Sequence, residues 1–160
     1  MKMLSNKKQI KLCDKSENTY KLFENAIFFN HSAYQSLFNG TIIRNSYIDK
    51  MDFSRSDFEG SVFEKVEIND STFFHAYFQT SICNETFFYN ISFETAQLNN
   101  SSFSNCHFKE CTFTSSVLSK CVFKECSFEL CEFKGVNITL CKFYKCKFEN
   151  YKIMNDYCSP

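Results

Sequence analysis

A step of five residues from Phe23 to Ile153 meets Phe, Ile or Leu at 25 of 27 positions, and 18 of the 21 phenylalanines share this one phase. The exceptions are Ala33 and Cys83. A period of five fits neither a helix nor a flat strand. In a straight strand it would send every second central residue to the opposite face. The chain must therefore turn once per five residues to keep all of them inside. Two residues before each centre runs a second column of small residues, such as Ala26, Ser36, Thr41, Ser56, Ala76 and Ser101, which becomes cysteine-rich from Cys106. Three residues then run extended with the small and the large side chain both facing inward, and the other two make a corner. Asn25, Asn45, Asn90 and Asn105, with Gly40, Gly60 and Gly135, stand at the second corner position, where positive φ is favoured.

The number of corners per coil is also legible. Among the phenylalanine centres of the C-terminal half, Leu98, Leu118 and Ile138 recur every 20 residues. Four pentapeptides thus close one coil, with like residues stacking on like. Residues 21–155 give six to seven square coils, a rod of about 30 Å at a strand spacing of about 4.8 Å.

These repeats resemble the pentapeptide repeat family, whose consensus is a small residue, a polar one, Leu or Phe, and two polar ones. The resemblance implies an all-β, right-handed quadrilateral β-helix, the handedness coming from the family alone. The expected organisation is an N-terminal flank or cap over 1–20, the β-helix over 21–150, and a C-terminal cap or tail over 151–160. The small column fails at Tyr151 and Asp156, which sets the last boundary.

Eighteen basic residues balance 18 acidic ones, so no net field points to nucleic acid or an anionic membrane. No run of 18 apolar residues can span a bilayer, and Met1–Tyr20 lacks the apolar stretch of a secretory signal. A cytoplasmic location is expected. Seven of the ten cysteines, Cys106 to Cys146, sit in the inward small column. Stacked at strand spacing, their Cβ atoms lie farther apart than the roughly 3.8 Å of a disulfide, and a Phe-filled square offers no tetrahedral zinc site. They read as reduced core thiols. His31 beside Ala33 reads as a volume swap, and Cys83 between Phe63 and Phe103 as the place for a small cavity or bulge. No nucleophile–base pair, phosphate loop or metal motif stands out. The expectation is no enzyme, no cofactor and no metal.

Function must then come from the outside of the rod. Residues 49–94 carry nine acids against Lys50, Arg55 and Lys65, a net −6, and include Asp49, Asp52, Asp57, Glu59, Glu64, Glu67 and Asp70. Residues 134–152 carry five lysines against Glu149, net +4. The best-known members of the resembled family, the quinolone-resistance proteins, mimic B-DNA and engage DNA gyrase. That makes a modulator or protector of gyrase or another topoisomerase one alternative. This chain departs from them in its neutral charge, its uninterrupted repeat phase and its short C-terminal segment. A bacterial effector or conflict protein is a second alternative. The leading reading is a non-enzymatic interaction module or scaffold with a protein partner or a second copy. Its expected face is an outward aliphatic strip, Leu22, Ile42, Val62 and Ile82, beside Tyr47, Phe87 and Tyr89.

Overall fold

The structure, a computed structural model, describes residues 7–154. Its chain winds into a four-sided β-solenoid in which, from Glu17 on, each strand or bridge residue pairs, in parallel, with the one 20 positions on. Leu22 pairs with Ile42, and the register continues through Val62, Ile82, Ser102 and Val122 to Lys142. This first face is a seven-stranded sheet, one strand per coil, so there are seven coils. The second face is eight-stranded and starts at Lys8–Gln9, running through Ala26–Phe29 and Tyr47–Asp49 to Lys147–Glu149. The third and fourth faces are built mainly of single bridges, along Ser32–Asp52–Thr72–Ser92–Thr112–Glu132 and along Glu17–Leu37–Asp57–Tyr77–Gln97–Val117–Asn137. On the third face Glu132–Lys134 also pairs with Lys152–Met154.

The strands are short because the chain turns every five residues. Every fifth residue from Lys15 to Asn150 has positive φ, between 45° and 65°. Asn and Gly were the sequence signal for these corners, yet Thr80 (58°), Thr95 (56°) and Leu130 (54°) take the same conformation. A left-handed L-residue costs about 1–2 kcal/mol. From Lys15 to Gly135 each corner is held by a bond to the next coil: the N–H groups of Asn45 and Lys65 donate to the carbonyls of Glu64 and Asn84, both at 2.9 Å. The β-branched and leucine corners show that closure of the coil, rather than local preference, selects the conformation.

Inside, the centres form vertical stacks. Phe88, Phe108, Phe128 and Phe148 lie at 4.8 Å centroid spacing, within 7° of parallel. Neighbouring stacks meet edge-on, as Phe123 and Phe128 do at 5.4 Å and 69°. Parallel rings within a column and perpendicular rings between columns are the two arrangements the ring quadrupole prefers. At Cys83 the register runs unbroken from Phe63 to Phe103, so the expected bulge is absent. Phe63 is instead tilted, at 47° to Phe58 and 34° to Phe78, in place of the steeper crossings seen elsewhere. Ala33 is fully buried and His31 half-buried, its Nδ1 2.6 Å from the Asn30 carbonyl.

The two ends differ. The same turns begin at Lys15 and Tyr20, but Lys8 pairs with Ala26, only 18 positions on. Leu12 is buried and Ile10 packs on the core. Asn18 takes the position held by Phe38, Phe58 and Phe78 in later coils. Its side-chain amide donates to Ser16 Oγ at 2.9 Å, and Lys21 Nζ donates to its Oδ1 at 3.0 Å. At the other end, Tyr151–Met154 continues the stack, and the centres of the last coil stand open to solvent. The rest of the segment expected as a cap, 155–160, lies outside the described residues.

Candidate interaction surfaces

The solenoid sorts its residues by position, so each outward column is a ladder of residues 20 apart. The aliphatic strip lies on the seven-stranded face as one such column. Leu22, Ile42 and Ile82 are exposed, at 54%, 40% and 50%, and Val62 is half-buried between neighbours. At about 4.8 Å per coil the strip runs about 14 Å. Beside it stands a second column whose Arg44 Nε lies 3.0 Å from Glu24 Oε1. Farther along the face the outward column turns polar, through Ser102 to Lys142.

The aromatic residues expected beside the strip lie around a corner from it, on the eight-stranded face. Phe87 is exposed; Tyr47 and Tyr89 are half-buried and occupy two different columns. Between strip and aromatics runs a groove of about 780 Å³, lined by Asn25, Asn45, Lys65, Glu67, Glu85 and Phe87. The corner residues that space the two sets were legible in the sequence, as were the adjoining sides on which the two columns stand.

The acidic residues are distributed around the whole rod. Asp52 lies on the third face and Asp57, with Glu59 beside it, on the fourth, while Glu64 lies on the seven-stranded face. Asp49, Glu67 and Asp70 come together on the eight-stranded face and its far corner. There burial raises the Asp49 carboxyl above its ordinary value; Lys50 opposes the shift, and Asp70 and Glu67 add to it. Asn90 donates from Nδ2 to Asp70 Oδ1 at 2.8 Å. Tyr89 is raised by the charge of Glu110, with some burial adding to it.

Among the described residues nine cysteines are free thiols. Burial pushes the Cys83 and Cys111 thiols well above their ordinary range. No group of three or more His, Cys, Asp or Glu among the described residues is placed to hold a metal. Among the described residues no helix is long and apolar enough to cross a membrane.

One surface was missed from sequence. At the C-terminal end Ile138, Phe143, Phe148 and Ile153, the four centres of the last coil, line an open pit of about 370 Å³ together with Phe133, Val136 and Tyr151. The signal was available: Tyr151 and Asp156 break the small column, so the centres before them have no regular repeat to cover them.

Residues 98–150 match the family described as pentapeptide repeats (9 copies). No curated protein matches the chain. Among solved structures it is similar to a trypsin-treated form of QnrB1, a plasmid-mediated fluoroquinolone resistance protein. The two share 13% identity, with 91% of this chain and 88% of that one covered, and a TM-score of 0.55. It also matches HetL, a pentapeptide repeat protein involved in heterocyst differentiation regulation from the cyanobacterium Nostoc sp. strain PCC 7120. That match has 10% identity, covers 87% and 85% of the chains, and has a TM-score of only 0.23. At 13% identity the likeness to QnrB1 is one of fold alone.

Proposed function

For a chain that carries the repeats of the pentapeptide family, we propose a non-enzymatic role as a rigid protein-interaction module that binds through its seven-stranded face. The observation that carries this reading is the aliphatic column Leu22–Ile42–Val62–Ile82. These residues are held in register over four coils with most of them open to solvent, while the inward columns are already filled by phenylalanine. β-branched residues suit any strand, but a buried core gains nothing from apolar side chains on its outer surface. A continuous exposed apolar strip of this kind favours a protein partner. The solenoid supplies the rigidity, because each coil is bonded to the next along all four sides.

The test is a doubly substituted chain, Ile42→Lys with Ile82→Lys, compared with the unaltered chain by quantitative affinity capture and by sedimentation. The substitutions leave every inward column untouched. Loss of a captured partner, or of a self-associated mass, from a chain that keeps its circular dichroism supports the strip. Unchanged capture and mass would remove it.

The topoisomerase reading needs acids aligned along one side, as in a DNA mimic. Asp49, Glu67 and Asp70 adjoin, while Asp52, Asp57, Glu59 and Glu64 face other directions, so charge placement favours the interaction module. A supercoiling assay with purified gyrase separates the two. No change is expected on adding this chain, and a dose-dependent change would favour the gyrase reading.

A further inference from the structure

The C-terminal end of the rod combines three features that the lateral faces lack. First, its apolar filling is open. Ile138, Phe143, Phe148 and Ile153 are exposed to 53%, 38%, 37% and 61%, whereas Leu118 and Phe128 in the coil below are at 1%. They surround the pit of about 370 Å³, large enough for one or more side chains. Second, its backbone is open. Lys142–Tyr144, Lys147–Glu149 and Lys152–Met154 each pair with a strand of the coil below, and among the described residues none has a strand on its other side. Such an edge is a template for strand addition. Third, its rim is basic. Lys142, Lys145, Lys147 and Lys152 surround the end against Glu149, and all five are exposed. Lys145 reaches Glu125 at 3.7 Å while its side chain stays 82% exposed.

These features select the occupant. A second copy docked end to end would bring two sets of four lysines together, and like charges across an interface oppose association. The N-terminal end of another copy is basic as well, with Lys7, Lys8, Lys11 and Lys15 against Asp14 and Glu17. A lipid surface would accept the apolar side chains and the lysines, but it would leave the strand edge without hydrogen-bond partners. An extended, acidic polypeptide segment satisfies all three: its backbone pairs with the edge, its carboxylates meet the rim, and one large apolar side chain enters the pit.

We propose that the C-terminal end face is a docking site for an extended acidic segment of a partner protein, which adds a strand to the open edge and seats an apolar side chain among Ile138, Phe143, Phe148 and Ile153. This site is separate from the lateral strip and does not depend on it.

The test is a selection of displayed random peptides on the full chain, followed by fluorescence anisotropy with the selected peptides. The expected peptides are rich in Asp and Glu around an aromatic or aliphatic residue, and their binding weakens with added salt. Lys142→Glu with Lys147→Glu should weaken binding at least tenfold, and Ile153→Lys should do the same. Ile42→Lys with Ile82→Lys should leave it unchanged. The Lys142 and Lys147 changes lie on exposed positions and test the rim even where Ile153→Lys disturbs the last coil. Selection of basic peptides, or binding indifferent to the end-face variants, would overturn the proposal. So would a dimer mass that Ile153→Lys abolishes, or binding to phosphatidylglycerol vesicles that it abolishes. Peptide binding seen only in a chain shortened to Met154 would assign the face to residues 155–160 and overturn it too.

Discussion

The thiol of Cys126 donates to the carbonyl oxygen of Phe103, one coil below and around one corner, at 3.4 Å. The same link, 23 residues back, joins Cys111 to Phe88, Cys131 to Phe108 and Cys146 to Phe123, each at 3.4 Å. In the first half of the chain hydroxyls hold this post: Thr41 donates to the Asn18 carbonyl at 2.7 Å and Ser56 to that of Ala33 at 2.6 Å. The small inward column therefore does more than leave room for phenylalanine. It also donates to the carbonyls of central residues one coil below; those of Asn18 and Ala33 accept a turn N–H as well, from Lys21 and Ser36, each at 3.2 Å. Cysteine fills more volume than serine and is a weaker donor.

Native alkylation should follow that placement. At about pH 8, where an ordinary exposed thiol is partly ionised, iodoacetamide should label Cys13 and leave Cys83, Cys106, Cys111, Cys121, Cys126 and Cys131 unmodified. Unfolding without reductant should then expose all of them. Peptide mapping by mass spectrometry reads the result, and early labelling of Cys111 would contradict the buried ladder.

Phe128→Ala should cost about 3–5 kcal/mol in urea unfolding, the usual range for a buried Phe. Its ring stacks on both Phe108 and Phe148 at 4.8 Å and meets Phe123 and Phe133 edge-on. Phe87→Ala, on an outward column, should cost less than about 1 kcal/mol.

Corners should respond to residue type in a definite order. Thr80, β-branched at a φ of 58°, is a strained choice. Thr80→Asn should raise stability by about 0.5–1 kcal/mol, since Asn accepts this conformation more easily. Gly60→Ala meets open space, its nearest neighbour being Thr80 Oγ1 at 3.9 Å. It should nevertheless lose about 1 kcal/mol through φ alone. Thermal melts of both variants check the order.

Asp49 carries the pH prediction. Its carboxyl is raised in the fold, chiefly by burial, with Lys50 opposing and Asp70 and Glu67 adding. A raised acid binds its proton more tightly folded than unfolded, so its contribution to stability falls as pH rises from the unfolded value to the folded one. Asp49→Asn should therefore melt higher than the unaltered chain at neutral pH. The difference should vanish near about pH 3, below the ordinary carboxylate range. An equal gain at both pH values would exclude the titration.

The coil was legible because its cause is periodic. One phase of Phe, Ile and Leu, with Leu98, Leu118 and Ile138 set 20 apart, defines both the corner and the number of sides. The faces were legible as columns for the same reason, and Ile42 and Ile82 lie outward as their positions require. Ile82 and Phe87, five residues apart across a corner, stand on adjoining sides, as four sides per coil require. What sequence position does not convey is burial: Val62 is half-buried between exposed neighbours, and Tyr47 and Tyr89 are half-buried too. Nor does the repeat describe its own ends. Asn18 is buried at one end in a stretch with no recognisable repeat, and the openness of Phe143 and Phe148 goes with the absence, among the described residues, of a coil above them.

A solenoid closed every 20 residues makes length a discrete variable. Removal of a whole coil, for example residues 83–102, would shorten the rod by one layer and leave every later column on its own side. Removal of a single pentapeptide would keep the interior equally well filled but index everything beyond it by a quarter turn, so that the lysines of the last coil would face new directions relative to Leu22 and Ile42. The inside and the outside of this protein are thus edited by different operations. Substitution alters what one face presents, and five-residue steps alter which faces line up, at little cost to the packing that holds the rod together.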